Sequence, residues 1–198
     1  MNMNMNTNYI IKTSFKTIKE MLSDRNIDIS KIKNISQEEL YTLYDDNLIF
    51  SIEVNDEYKI IYYMNNKIRI NDIEKYISDK DKNIIFVSKE KLTTNNYKSF
   101  NNLKKIKDNK IYLQYFHVNE LLVNIYHHEL VPKHEPITNK EEINNLMNKY
   151  LLKNPYNFPL ILHNDPICKY LDIKPDTLVK ITRPSPTSGE YILYRYCV

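Results

Sequence analysis

The chain has 198 residues, 42% of them hydrophobic, a formal net charge of +3 and two cysteines. At this length roughly 70% of the unfolded surface can be buried, enough for one domain or two small ones. The weak charge excludes a global polycation, no apolar run approaches the ~20 residues of a membrane span, and two thiols make no disulfide framework.

Alanine is absent, and Gly189 is the only glycine. Asn, Lys, Ile and Tyr take their place. These residues have AT-rich codons, so the bias describes a genome and not a function. It makes every retained glycine and proline informative. All eight prolines lie between Pro132 and Pro186, so two regions built by different rules are expected. The boundary is expected near residues 117 to 127 and is drawn at 117/118: a first region 9–117 and a second region 118–198. MNMNMNTN lacks a basic segment ahead of an apolar core, so it reads as a disordered tail over 1–8 and not as a signal peptide.

Ile11, Phe15, Ile18 and Leu22 share one helical face. Ser36 and Glu39 form a capping box before a short helix. LIFSIEV and EYKIIYYM flank Asn55-Asp56 and read as a hairpin. Asn71 is a candidate cap for a helix through Tyr76. NIIFVS reads as a strand buried on both faces, followed by a polar helical stretch to Leu103 and the strand KIYLQYF. The alternation is that of an α/β or α+β domain.

In the second region Pro132 pushes Val131 out of helical backbone, so HHELVPKHE is expected to be extended. Thr138 and Glu141 form a further capping box, opening a helix to about Leu152. PLILH is a strand. Asp165-Pro166 supplies an N-cap and a proline at the first helical position of ICKYL. TLVKITR and EYILYRYC are strands joined by PSPTSG. The order β-α-β-α-β-β gives a small two-layer domain with its helices on one side of the sheet.

Few residues suggest chemistry. His128 and His134 stand six apart with Pro132 between them, which no helical zinc site tolerates. Asp45 or Asp46 followed by Glu57 and Lys59 faintly matches an acid…acid-x-Lys magnesium nuclease. One glycine cannot build a phosphate-cradling loop. Cys168, on a short helix, is better read as a buried thiol than as a nucleophile. No catalytic residue, metal or cofactor is therefore assigned. From Lys89 to Lys110, seven lysines (Lys89, Lys91, Lys98, Lys104, Lys105, Lys107, Lys110) face Glu90 and Asp108, a surplus of five, with Tyr97 and Phe100 interleaved. A solvated face is the ordinary reading; phosphate-backbone contact is the functional one. In EYILYRYCV both alternating sets are largely apolar or aromatic. One helical layer leaves the second sheet face in need of a partner, and an assembly module is expected.

ELLVNIYHHELVPKHEPIT and PLILHNDPICKYLDIKPDTLVKITRPSPTSGEYILYRYCV closely resemble the assembly domain of the fifth shared subunit of eukaryotic RNA polymerases, which has a small archaeal counterpart. FKTIKEMLSDRNIDIS resembles the start of that family's N-terminal jaw. The resemblance implies a restriction-endonuclease-like jaw without catalysis, and a non-enzymatic subunit of a DNA-dependent RNA polymerase. Its implied partners are the largest polymerase subunit, neighbouring small subunits and downstream duplex DNA; no membrane or small-molecule substrate is implied. The implied contacts are His127, His128, Glu129, Leu130, Val131, Pro132, Lys133 and His134, with Arg183, Pro184, Ser185, Gly189, Tyr191, Tyr194 and Arg195 of the hairpin. Lys89, Lys91, Lys98, Lys104, Lys105 and Lys107 would lie near DNA. Glu190 stands where the family commonly has a basic residue, and Asp172 and Asp176 replace glycines. The shorter jaw and the AT-rich composition suggest a large DNA virus, which would place the chain in virions and cytoplasmic factories; a cellular copy would work in the nucleus.

Overall fold

The computed structural model describes residues 2–46, 48–69, 72–73, 75–77, 82–106 and 111–198, without the side chains of 2–6, 45–46 and 101–106. It divides into two compact units, 1–123 and 124–198. The division falls after the expected 117/118. The reason is a 3-10 turn, Val118–Leu121, that packs against the first helix with Val118 and Leu121 buried.

Helix α1 (Asn2–Asp24) extends back through the residues read as a tail. Its Ile11, Phe15, Ile18 and Leu22 are all buried, as the spacing requires. A short turn of helix, α2 (Ser30–Lys33), leads to α3 (Gln37–Asp46). The capping box is present: Glu39 N–H donates to Ser36 Oγ at 3.1 Å and Ser36 N–H to Glu39 Oε2 at 2.8 Å.

Strands β1 (Ile49–Glu53) and β2 (Tyr58–Tyr63) pair antiparallel from Ile49–Tyr63 to Glu53–Lys59. Asn55 Oδ1 accepts from the N–H groups of Glu57 and Tyr58, which fixes the expected turn. The Asn71 cap lies outside the described residues. Strands β3 (Asn83–Ser88) and β4 (Tyr112–His117) add in parallel, giving the order β1-β2-β3-β4. Helix α4 (Thr94–Ile106) makes the crossover between them and is capped by Thr93 Oγ1, 3.3 Å from Asn96 N.

Because side chains alternate across a strand, the sheet has two apolar faces. One holds Ile61, Tyr63, Ile84, Phe86 and Leu113, joined by Phe100 of α4. The other carries Tyr62, which stacks on Phe50 at 5.0 Å and meets Ser14 of α1, hydroxyl to hydroxyl, at 3.1 Å. Burial pushes the Tyr62 hydroxyl pKa well above its ordinary range. The unit is thus a mixed α+β layer structure.

The second unit has the order β5-β7-β8-β6: β5 (Lys133–Ile137), α5 (Lys140–Lys149), β6 (Leu160–Ile161), α6 (Pro166–Leu171), β7 (Leu178–Ser185) and β8 (Gly189–Cys197). The element order is the expected one, but two details differ. Asn139, not Thr138, caps α5, accepting from Glu141 N–H at 2.9 Å. The helices also do not share a side. Leu178 and Tyr196 pack with Leu146 of α5, whereas their strand neighbours Val179 and Cys197 pack with Cys168 of α6. Neighbours on a strand point to opposite faces, so α5 and α6 cover opposite faces of the sheet. Both faces are apolar because each has its own helix. The Asp165 carboxylate caps α6 as expected, with Pro166 at its first turn.

Truncating Phe86→Ala removes the ring that touches Tyr63, Phe100 and Tyr115. Urea denaturation should show a loss of about 3–5 kcal/mol. In the second unit, burial, helped by the neighbouring Cys197 and Asp165, pushes the Cys168 thiol pKa from 9.0 up to about 12. The folded chain holds this proton more tightly than the unfolded one. The contribution is therefore complete below pH 9 and is lost as pH rises toward 12. Melting temperature measured across this window should fall, and less steeply in Cys168→Ala.

Candidate partner-binding surface

The segment 125–131 forms two tight turns, with His128 N–H donating to Ile125 O and Val131 N–H to His128 O. The run HHELVPKHE is therefore extended only from Lys133, where β5 begins. Asn124 causes the bend. Its Oδ1 accepts from the N–H groups of Tyr126 and His127, an Asx turn, and its amide donates to the Tyr170 hydroxyl at 3.0 Å. The Tyr170 ring stacks on Tyr126 at 5.3 Å. These three residues anchor the segment, and the only signal for them in the sequence is Asn ahead of an aromatic pair.

The consequence is a presented knuckle. His127, His128 and Glu129 are exposed, Leu130 is 84% exposed, and Val131 and Pro132 are half-buried. His134 behaves differently. It is buried, and its Nδ1 donates to Pro132 O at 2.7 Å, so it fixes the strand entry. Lys133 pairs with Glu135 at 2.7 Å. The described residues contain no cluster of three or more His, Cys, Asp and Glu suited to a metal.

The hairpin runs past both helices. Strand β5 reaches only as far as Thr182, so Arg183, Pro184 and Ser185 belong to a two-stranded tip with Gly189, Glu190 and Tyr191 opposite. Pro184, which has no N–H to offer a neighbour, is tolerated where no third strand pairs. Arg183 and Tyr191 face each other in register, with the guanidinium 4.7 Å from the ring centre. This cation–π pair holds two long side chains on one face. Ile192, on the opposite face, is also exposed. At the turn Ser188 O accepts from Glu190 N–H at 2.9 Å, and Gly189 between them has φ +74°. A single glycine is thus kept where the backbone needs the left-handed region.

Tyr194 and Arg195 serve their own unit. The Tyr194 ring lies against Tyr150 and Phe158, and Arg195 Nη1 donates to Leu160 O at 3.1 Å. Asp172 and Asp176 both adopt positive φ, 56° and 65°, so the turns survive without glycine.

In the first unit Lys89, Lys91 and Lys98 are exposed, with Lys89 Nζ donating to Asn66 Oδ1 at 3.3 Å. Lys104 and Lys105 have no described side chain, and Lys107 lies outside the described residues. Tyr97 is exposed near this lysine group, but Phe100 is in the core. Of the acid-x-Lys pattern, Glu57 binds Lys82 at 2.6 Å and Lys59 lies opposite Glu53. The Asp45 and Asp46 side chains are not described.

What the second unit offers is therefore surface: a two-stranded tip, and a knuckle that presents Leu130 beside His127, His128 and Glu129. Residues 123–197 match the C-terminal domain of RNA polymerase Rpb5. The chain is 34% identical over 190 residues, 92% of its own length and 94% of the relative's, to the DNA-directed RNA polymerases I, II, and III subunit rpabc1 of Dictyostelium discoideum. The subunits RPABC1 of Caenorhabditis briggsae and Caenorhabditis elegans are 43% identical over 89 residues, 45% of this chain and 41% of each relative. The chain belongs to the Rpb5 family.

A Cβ at Gly189 would meet no atom within 4 Å. The cost of substitution is then one of backbone alone. Gly189→Val should lower stability by about 1–2 kcal/mol and Gly189→Asn by much less, as thermal unfolding will show.

Proposed function

We infer that the chain is a non-catalytic subunit of a multisubunit DNA-dependent RNA polymerase, held in the enzyme by its second unit. The observation that carries this reading is the near full-length identity to a shared polymerase subunit. The geometry supplies the means. Leu130 stands out from the knuckle, and Arg183, Tyr191 and Ile192 stand out from the hairpin tip. Exposed apolar and aromatic groups on a rigid support are what a permanent interface uses. The largest polymerase subunit is the partner we assign to them, with smaller subunits at the margin.

The first unit is read as the jaw. Its mixed four-stranded sheet with a helical crossover is compatible with an endonuclease-like ancestry that has lost its reaction. The exposed Lys89, Lys91 and Lys98 support a contact with the backbone of downstream duplex, which needs cations but no fixed spacing. Location follows the enzyme: the nucleus for a cellular polymerase, and virions and cytoplasmic factories for one encoded by a virus.

Tagged chain recovered from its native source should bring down the two large polymerase subunits in near-stoichiometric amount after a moderate salt wash. Arg183→Ala combined with Tyr191→Ala should cut that recovery about tenfold, with the melting temperature nearly unchanged because both side chains are on the surface. Recovery of the chain alone would reject the reading.

A further inference from the structure

A second concave surface lies entirely within the first unit, far in sequence from the hairpin and from Lys89. Helix α1 presents Lys12, Lys16 and Lys19 at spacings of four and three, which sets them along one side of the helix. They border a groove of about 430 Å³ between α1 and the junction of α2 with α3. Its lining includes Phe15, Ile35 and Leu40, and of these Phe15 and Leu40 are buried in the unit's own core. Tyr9, 63% exposed, and the polar groups of Thr13, Ser36 and Gln37 complete the wall.

Two of the acids nearby are already engaged. Glu39 turns its carboxylate back to the Ser36 N–H. Glu20 lies at 3.8 Å from Lys16, a loose contact along the outside of the helix. Lys19 sits 5.1 Å from the centre of the Phe15 ring, so its charge is held at the groove. The groove is cationic at its rim and apolar beneath.

We propose that this groove receives an acidic peptide segment with one apolar anchor, contributed by another protein. Charge complementarity names the acidic part: three lysines on one rim attract a run of Asp and Glu. The apolar floor names the rest. A cleft of this size takes one or two large side chains, and a buried aromatic or leucine would cover half-buried Ile35 and the exposed Tyr9 ring. Segments alternating acids with single hydrophobic residues have this chemistry. Duplex DNA fits less well, because its phosphates lie on a convex cylinder that carries nothing apolar to fill the floor. The proposal is independent of how the second unit is docked.

The test uses the full chain and a fluorescent peptide of Asp and Glu around one Phe. It should bind, weaken as salt is raised, and shift the amide resonances of Lys12, Lys16, Ser36 and Gln37. The same peptide with Phe replaced by Ala should bind markedly less tightly. Lys12→Glu combined with Lys16→Glu should weaken binding about tenfold or more, with an unchanged melting temperature showing that the fold is intact. No binding overturns the proposal, and so does binding indifferent to the Phe or to charge reversal. Stronger shifts of the same resonances by single-stranded or duplex DNA also overturn it, in favour of a nucleic-acid site. None of these outcomes bears on polymerase recovery through the hairpin, so the two readings fail separately.

Discussion

The antiparallel pairing of β7 with β8 runs from Leu178–Tyr196 to Ser185–Gly189, and the second unit is arranged around it. At its base the pair is covered on both faces, by α5 on one and α6 on the other. Beyond Thr182 the described residues add no third strand to it. The same ladder that anchors the core thus carries the tip outward. Backbone hydrogen bonds make the tip stiff, and stiffness matters to binding because little freedom is lost on docking. The knuckle at Leu130 gains its rigidity otherwise, from the Asn124 turn and the Tyr126–Tyr170 stack.

Much of this could be read in the residues. The α1 face, the hairpin at Asn55, the capping box at Ser36 and the Asp165-Pro166 helix start each follow from a local rule, and local rules are carried by neighbours in the chain. The misplaced helix of the second unit depended on long-range packing. Apolar residues on both sides of β8 look the same whether a partner or a second helix covers them. Only the sorting of Leu178 and Val179 into different clusters decides between these. The cap at Asn139 was displaced by one residue from a position that Thr138 also fits by type.

Site residues divide in the same way. His127, Leu130, Arg183 and Tyr191 are exposed, the first two on turns where an extended segment was expected. His134 and Tyr194 stand in the same motifs but turn inward, to Pro132 O and to Tyr150 and Phe158, and Arg195, though exposed, is tied to Leu160 O. Proximity in a motif does not say which way a side chain faces. Leu160 and Leu162 are both exposed around buried Ile161, and the period of two in PLILH was the available sign of it.

The left-handed aspartates bear on how such a chain changes over time. With glycine, a left-handed position is unstrained but the unfolded chain is freer; with aspartate the balance is reversed, and the two terms partly cancel. Exchange at such a site is close to neutral until the new side chain acquires contacts. At Asp172 the carboxylate accepts from the exposed Lys174 ammonium, at 2.8 Å, a surface contact that glycine could forgo at little cost. At Asp176 one carboxylate oxygen accepts from the hydroxyls of both Tyr156 and Tyr196, each at 3.1 Å. Glycine there would leave the largely buried Tyr196 hydroxyl without that acceptor. Two aspartates in the same backbone conformation are therefore unequal: glycine would be tolerated at 172, whereas at 176 the tyrosines that close around the carboxylate hold the aspartate in place.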